Sequence, residues 1–169
     1  MADRAPQNER APAPGSSLAA QARRLLELGR LGSLSTLSQQ HPGWPFGSVM
    51  PYALDGRGRP LFLISTMAMH TKNLQADPRA SLMVMEGAAT GDPLAAARVT
   101  VLGRVSRVPQ EEREPARQAY LARHPEAGDW VDFGDFAFYR MEIADLYYVG
   151  GFGVMGWVAA DDYRSVPND

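Results

Sequence analysis

The sequence predicts an α+β fold in which a mainly antiparallel, closed β-sheet is flanked by helices. Six or seven short segments alternate apolar and polar residues with the two-residue period of a strand. Turns rich in glycine and proline separate neighbouring segments, as in a series of hairpins. Only two or three segments have helical composition. Many strands in series with few helices are typical of barrels.

Composition limits the classes of function. The chain has 169 residues, of which 17 are basic and 19 acidic, so it offers no basic surface for nucleic acid or anionic membranes. It contains no cysteine, which excludes disulfides, thiolate nucleophiles and cysteine-ligated metals. No apolar run has the length of a membrane span, and the N-terminus lacks the apolar core of a secretory signal. We therefore expect a cytoplasmic protein without nucleic-acid or membrane partners.

Composition also divides the chain into three parts. Residues 1–15 contain almost nothing large and apolar and are predicted to be a disordered N-terminal tail. Residues 16–158 carry all the predicted helices and strands and form one domain. Residues 159–169 are polar and are predicted to be a C-terminal tail.

The first half of the domain is predicted to be a helix followed by two hairpins. Ser16 or Ser17 caps the helix, Gly29 ends it, and its apolar positions fall on one face: Leu18, Ala22, Leu25 and Leu26. Strands follow at 32–38, 48–54 and 61–64, with turns at 41–47 and 55–58 between them. Pro51 indicates a sheet edge or a bulge in the second strand.

The second half is predicted to contain strands at 80–86, 97–108, 136–143 and 146–149, and a helix at 109–124 with Pro115 in its first turn. Alternation in the strand at 97–108 places the valines on the face opposite Arg98, Thr100 and Arg104. The last two strands are separated at Ala144 and Asp145. The glycines of GGFGVMGW, 150–157, are predicted to allow tight packing around Phe152 and Trp157.

Residues 60–74, PLFLISTMAMHTKNL, contain the strongest candidate site. A strand that is apolar on both faces leads into a short helix at 70–77. This corner collects the hydroxyls of Ser65 and Thr66, the side chains of His70 and Lys72, and unpaired helix N–H groups, which together suit a phosphate. Lys72 is the only lysine of the chain. The alternative interpretation is a structural corner with a solvated, charged turn.

The chain resembles the pyridoxamine phosphate oxidase-like FMN-binding split barrels, and within them the haem-utilisation (HugZ-type) branch. The resemblance extends from about Leu25 to Trp157. It rests on the segments LGSLSTLS, PFGSVMPYALDGRGRPLFLIS, MHTKNLQADPRASLMV, GDPLAAARVTVLGRV and LYYVGGFGVMGW. HTKNL with DPRASL, and GDPLAAAR with TVLGR, are its most specific parts.

The resemblance implies a six-stranded split β-barrel that forms a homodimer, with FMN in grooves between the subunits. By motif position, the residues implied to bind the cofactor are Ser48, Ser65, Thr66, His70, Thr71, Lys72, Asn73 and Arg98. Lys72 and Arg98 are expected to bind the same anionic group. The dimer face is expected to include Met50, Tyr52, Met83 and Met85. No residue is assigned as a catalytic acid or base, and no metal site is expected.

The expected function is that of an FMN-dependent oxidoreductase acting on an unidentified small substrate. One alternative on the same fold is a haem-binding or haem-degrading protein, with His70 or His41 as axial ligand. The haem-degrading relatives typically carry a further C-terminal segment, to which the residues up to Asp169 offer no counterpart. The oxidases that make pyridoxal phosphate have a C-terminal segment rich in arginine and histidine, whereas Tyr163 to Asp169 offers only Arg164, so vitamin oxidation is not expected. Another alternative is a non-enzymatic binding module that has lost the cofactor.

Overall fold

One antiparallel sheet and four α-helices make up the part of the chain that the computed structural model describes, residues 17–87, 92–151 and 153–167. The strands are β1 (Leu31–Leu37), β2 (Pro45–Pro51), β3 (Ala53–Leu54), β4 (Pro60–Ser65), β5 (Arg79–Met85), β6 (Arg98–Arg107), β7 (Phe136–Val149) and β8 (Met155–Ala159). The helices are α1 (Leu18–Leu28), α2 (Met69–Ala76), α3 (Arg113–Arg123) and α4 (Ala160–Arg164). The predicted tail at 1–15 and the packing of Phe152 lie outside the described residues.

The sheet curls until its two ends meet. Its strand order is β2-β1-β5-β6-β7-β4-β3, with β8 paired to β7. The first and last strands of this order, β2 and β3, are separated in the chain only by Tyr52. β2 contacts β4 without joining its ladder, which leaves a split between these strands. The predicted antiparallel split barrel is thereby confirmed, with eight strands in place of six because β3 and β8 add to the predicted set.

Apolar side chains fill the barrel as the alternation predicted. In β6, Val99, Val101 and Val105 are buried, whereas Arg98 and Arg104 lie on the opposite face. Ser17 caps α1 by accepting a hydrogen bond from the Ala20 N–H at 3.2 Å, and the apolar face of α1 packs on the same core. No helix in the described part of the chain is long and apolar enough to cross a bilayer.

A second apolar cluster covers the outside of the barrel on one side only. Leu61 and Leu63 point outwards from β4 and pack with Phe138 of β7 against Ala116 and Tyr120 of α3. Burial on both faces of β4 was predicted from its continuous apolar run, and it is confirmed. Because α3 covers β3, β4 and the start of β7, the outer face of β2, β1, β5 and β6 carries no helix in the described structure.

β7 is one strand of 14 residues, so the prediction of two strands separated at Ala144 and Asp145 is wrong. The register shifts between Leu102 and Gly103 of β6, and Ala144 is the unpaired residue of this bulge. A bulge interrupts pairing locally and bends the strand without ending it.

The prediction of a polar tail from residue 159 onwards is also wrong. Residues 160–164 form α4, in which Tyr163 is fully buried and donates a hydrogen bond to the Gly58 carbonyl at 2.8 Å. Gly58 has φ +74°, and a Cβ there would overlap the guanidinium of Arg23, which lies over the Tyr163 ring. Trp157 is likewise not packed inside, because β8 places it on the outer face with 62% of its surface exposed.

We predict that Tyr163→Phe lowers the free energy of unfolding by about 1 to 3 kcal/mol, because it leaves the buried Gly58 carbonyl without its donor. Denaturant titration of both proteins measures the difference. Tyr139→Phe is the matched control, since this tyrosine is also buried in the core and its hydroxyl bonds to no described residue, and we expect a change within about 0.5 kcal/mol. Equal effects of the two substitutions would show that α4 is not held by this bond.

Candidate functional site

The corner between β4 and α2 is fixed to the loop that precedes β7. The Ser65 hydroxyl donates to an Asp135 carboxylate oxygen at 2.8 Å and accepts the Met67 N–H at 3.1 Å. The Thr66 N–H donates to the Asp135 carbonyl at 2.8 Å, while its side chain is exposed. Asp135 therefore positions both residues that the sequence assigned to this corner. Its role was missed because it lies 70 residues from Ser65 and follows no recognisable spacing.

Two of the predicted cofactor residues hold α2 in place. Thr71 is fully buried and donates to the Ser65 carbonyl at 2.6 Å. Asn73 is also fully buried, where its amide donates to the Thr36 hydroxyl at 3.0 Å and accepts the Gln39 N–H at 2.9 Å. The polar side-chain atoms of both residues are thus bonded inside the chain, and their part in cofactor binding stays a prediction.

His70 differs from Thr71 and Asn73, because its ring has a buried nitrogen without a hydrogen-bond partner among the described residues. The ring is partly buried, and its Nε2 is the one buried side-chain nitrogen or oxygen in the described part of the chain without a hydrogen-bond partner. Burial lowers the pKa of His70 below its usual value, so the ring is held neutral near pH 7. A neutral imidazole with an unused nitrogen is the form that binds a metal ion.

The other two histidines differ from His70. His41 lies exposed in the turn before β2. The ring of His124 is buried, and both of its nitrogens have partners: Nε2 lies 2.8 Å from the Tyr52 carbonyl and Nδ1 lies 3.2 Å from Glu126. Of the three histidines, His70 is therefore the one whose ring has a buried nitrogen without a partner among the described residues.

Lys72 lies exposed in the first turn of α2 and forms no ion pair with any described residue. The N–H groups of Met69 and His70 in the same turn also lack an acceptor among the described residues, and no side chain caps this helix start. A lysine charge and free N–H groups suit an anionic group, whether a phosphate or a carboxylate.

Arg98 does not lie near Lys72 within one chain. On β6, Arg98 is opposite Met85 of β5. Arg104, six residues further along β6, is opposite Arg79, which follows α2 in the chain. Six residues of strand span about 20 Å. The Arg98 guanidinium donates instead to the carbonyls of Leu94 and Ala96 at 3.2 and 3.3 Å. The expectation that Arg98 and Lys72 bind one group stays a prediction, and it would require Arg98 of a second chain.

Ser48 lies on β2 at the split. It is opposite Leu34, so it shares the face that points into the barrel, and it is partly exposed. The split thus has Ser48 on one side and, at the end of β4, Ser65 on the other. In the residues that the structure describes, no three His, Asp or Glu side chains are grouped to hold a metal ion.

Comparison with known proteins places these features in a family. The chain is 42% identical over 120 residues to the chloroplastic heme oxygenase HOZ of Arabidopsis thaliana, a match that covers 71% of this chain and 36% of that protein. It is 27% identical over 133 residues to the heme oxygenase HutZ of Vibrio cholerae, covering 76% of this chain and 74% of HutZ.

A solved structure described as a heme binding protein from Mycobacterium smegmatis superposes with a TM-score of 0.83 at 35% identity, covering 89% of this chain and 61% of that one. The chain thus spans about a third of the Arabidopsis protein and three fifths of the mycobacterial one. The resemblance to split barrels of the haem-utilisation type is confirmed. The family model described as "CREG, beta-barrel" matches residues 14–165, and the chain belongs to this family.

Proposed function

We propose that this protein binds haem, with His70 as the ligand to the iron. The observation that carries the proposal is the unpaired, buried Nε2 of His70 on a ring whose lowered pKa keeps it neutral. An unbonded buried nitrogen costs folding free energy, and a bond to iron would remove that cost. His41, the other candidate ligand, has no comparable environment because it lies exposed in a turn.

The named relatives support haem over flavin. Two curated relatives are named heme oxygenases, and a solved relative at 35% identity is described as heme binding. They give no comparable support to the expected FMN-dependent oxidoreductase. Haem, when bound, supplies the iron and the macrocycle for oxygen chemistry. We propose further that the bound haem is the substrate, degraded when oxygen and a reductant are supplied.

The residues around His70 have roles in such a site. Lys72, two residues along the same turn, offers an ammonium group to a propionate carboxylate of haem. Thr71 and Asn73 keep α2 against the barrel and so determine where the imidazole lies. Ser65 and Asp135 fix the corner through which the helix begins.

FMN binding is the second candidate, and it has one observation in its favour. The exposed Lys72 and the free N–H groups of Met69 and His70 suit the phosphate of FMN as well as a carboxylate. The two candidates thus share the anion-binding part of the site. They differ in whether the His70 nitrogen is used.

We propose that two copies of the chain pair through the sheet face that α3 leaves bare, which we call the open sheet face. One row across it consists of Val49, Ser33, Met83, Thr100, Tyr147 and Trp157, which are neighbours in register on five consecutive strands and β8. Val49 is 77% exposed and Met83 is 43% exposed. Contiguous apolar surface of this kind is usually an interface. Four residues were expected on the dimer face. Met83 and Met85 lie on the open sheet face, whereas Met50 and Tyr52 do not, because both are buried in the core.

We predict that His70→Ala weakens haemin binding at least about tenfold, which corresponds to roughly 1.4 kcal/mol, and shifts the Soret band. Titration of each protein with haemin, followed by absorbance, measures both effects. His41→Ala is the matched control and is expected to bind as the unchanged protein does. Added imidazole should restore the original Soret position in His70→Ala, because it replaces the missing ligand.

Two results would contradict this assignment. One is a normal Soret band and affinity in His70→Ala; the other is loss of binding in His41→Ala alone. Circular dichroism of each variant separates loss of the ligand from loss of the fold.

We predict a mass of twice 18.4 kDa in light scattering and a shift to monomer on Val49→Glu, because a carboxylate in the centre of the open sheet face opposes close packing. Leu28→Glu, on an exposed apolar residue of α1, is the control and should leave the dimer intact. A monomeric wild-type protein at micromolar concentration would refute the pairing.

A further inference from the structure

A pocket of about 520 Å³ lies on the open sheet face, and His70 is not among its lining residues. It is formed where β1 ends, β5 begins and β7 has its bulge, and its lining includes Leu37, Pro45, Leu102 and Ala144. The bulge at Ala144 bends β7 here, and Gly47 opposite Ser35 adds no side chain to the adjacent strand. Its volume is within the range of sites for small organic molecules, and its lining is mainly apolar.

Two arginines border the pocket. Arg79 and Arg104 lie directly opposite each other on β5 and β6. Like charges in opposed positions destabilise a sheet unless a counter-charge lies close. Asp77 is such a counter-charge, but both of its carboxylate oxygens bond to Arg79, at 3.0 and 2.6 Å. These hydrogen bonds lower the pKa of Asp77 to about 2, so it is ionised and neutralises one of the two guanidinium groups.

Arg104 forms no hydrogen bond or salt bridge with any described residue, and the Asp77 carboxylate, which interacts with its charge, already bonds to Arg79 through both oxygens. Glu142 lies opposite Arg104 on β7, yet its carboxylate bonds to Arg59 at 2.5 Å and approaches Arg140 at 3.5 Å. Two hydroxyls, those of Ser35 and Ser81, face each other across the ladder in the same pocket and form no hydrogen bond with any residue the structure describes. The pocket thus combines an apolar body, one guanidinium without a hydrogen-bonded counter-charge among the described residues, and two hydroxyl donors.

We propose that this pocket binds a small amphipathic carboxylate, with the carboxylate on Arg104 and the apolar part against Leu37, Pro45 and Leu102. A charge-assisted hydrogen bond from arginine fixes the anionic end. Burial of the apolar part against the lining supplies the remaining affinity. The pocket is separate from the proposed haem ligand, because none of its lining residues belongs to α2 or to the β4 corner, although its lining includes Thr36, which bonds to Asn73 of α2.

Isothermal titration of the whole protein with decanoate tests the proposal, with decanol and inorganic phosphate as the two partial ligands. We expect decanoate to bind at least about tenfold more tightly than either, because only decanoate has both the charge and the apolar chain. Arg104→Gln should weaken decanoate at least tenfold and leave decanol unchanged. Arg107→Gln, on the same strand but outside the pocket, is the matched control. Leu102→Trp should block decanoate without a change of charge.

Three results would overturn the proposal. If decanoate and decanol bind equally tightly, Arg104 has no role in binding. If Arg107→Gln weakens decanoate as much as Arg104→Gln does, the effect comes from the net charge of the protein and not from the pocket. Light scattering shows whether the dimer dissociates when decanoate binds. If decanoate binds only when the dimer dissociates, a second copy of the chain fills the pocket. His70→Ala should bind decanoate normally, so failure here is distinguishable from failure of the haem site.

Discussion

The buried amide of Asn73 is the interaction on which the candidate site depends. It joins α2 to Thr36 of β1 and to the backbone of Gln39 just beyond that strand. Removal of the amide would leave the buried Thr36 hydroxyl without this donor, and an unmade hydrogen bond at a buried group costs about 1 to 3 kcal/mol. Because His70 lies one turn earlier on the same helix, the amide also determines where the imidazole is held. The polar residues of HTKNL therefore divide into those that build the helix position and those left available to a ligand.

The barrel surface is divided in a similar way. α3 covers the outside of β3 and β4, and the open sheet face is left with exposed apolar side chains, Arg98 at one end and Arg104 at the other. Within one chain, Arg98 is far from α2. A contribution of Arg98 to a cofactor at α2 therefore requires a second chain, whereas Arg104 borders a pocket of its own. The proposed pairing of two chains and the proposed ligand pocket thus share one face of the sheet.

Most of the sheet could be predicted from alternation, as the buried valines of β6 and the doubly buried β4 illustrate. Three features could not be predicted from the sequence. α4 has a polar sequence, and it is held by one buried residue, Tyr163, whose partner Gly58 lies 105 residues away. Thr71 and Asn73 have the composition of a ligand-binding turn, but long-range hydrogen bonds occupy them. Local sequence also gave no sign that Arg98 lies at the far end of β6, because strand pairing decides that distance. The sequence already made His70 a candidate ligand, which stays a prediction, while its unpaired nitrogen is visible only in three dimensions.

The absorption spectrum of the protein, purified from cells supplied with both haem precursor and riboflavin, tests the central claim most directly. Haem and FMN then compete for the same chain under equal conditions, and each has its own absorption bands. We expect a Soret band that saturates at one haem per chain when haemin is added. Flavin bands near ~450 nm without a Soret band, or a colourless protein that does not take up haemin, would contradict it.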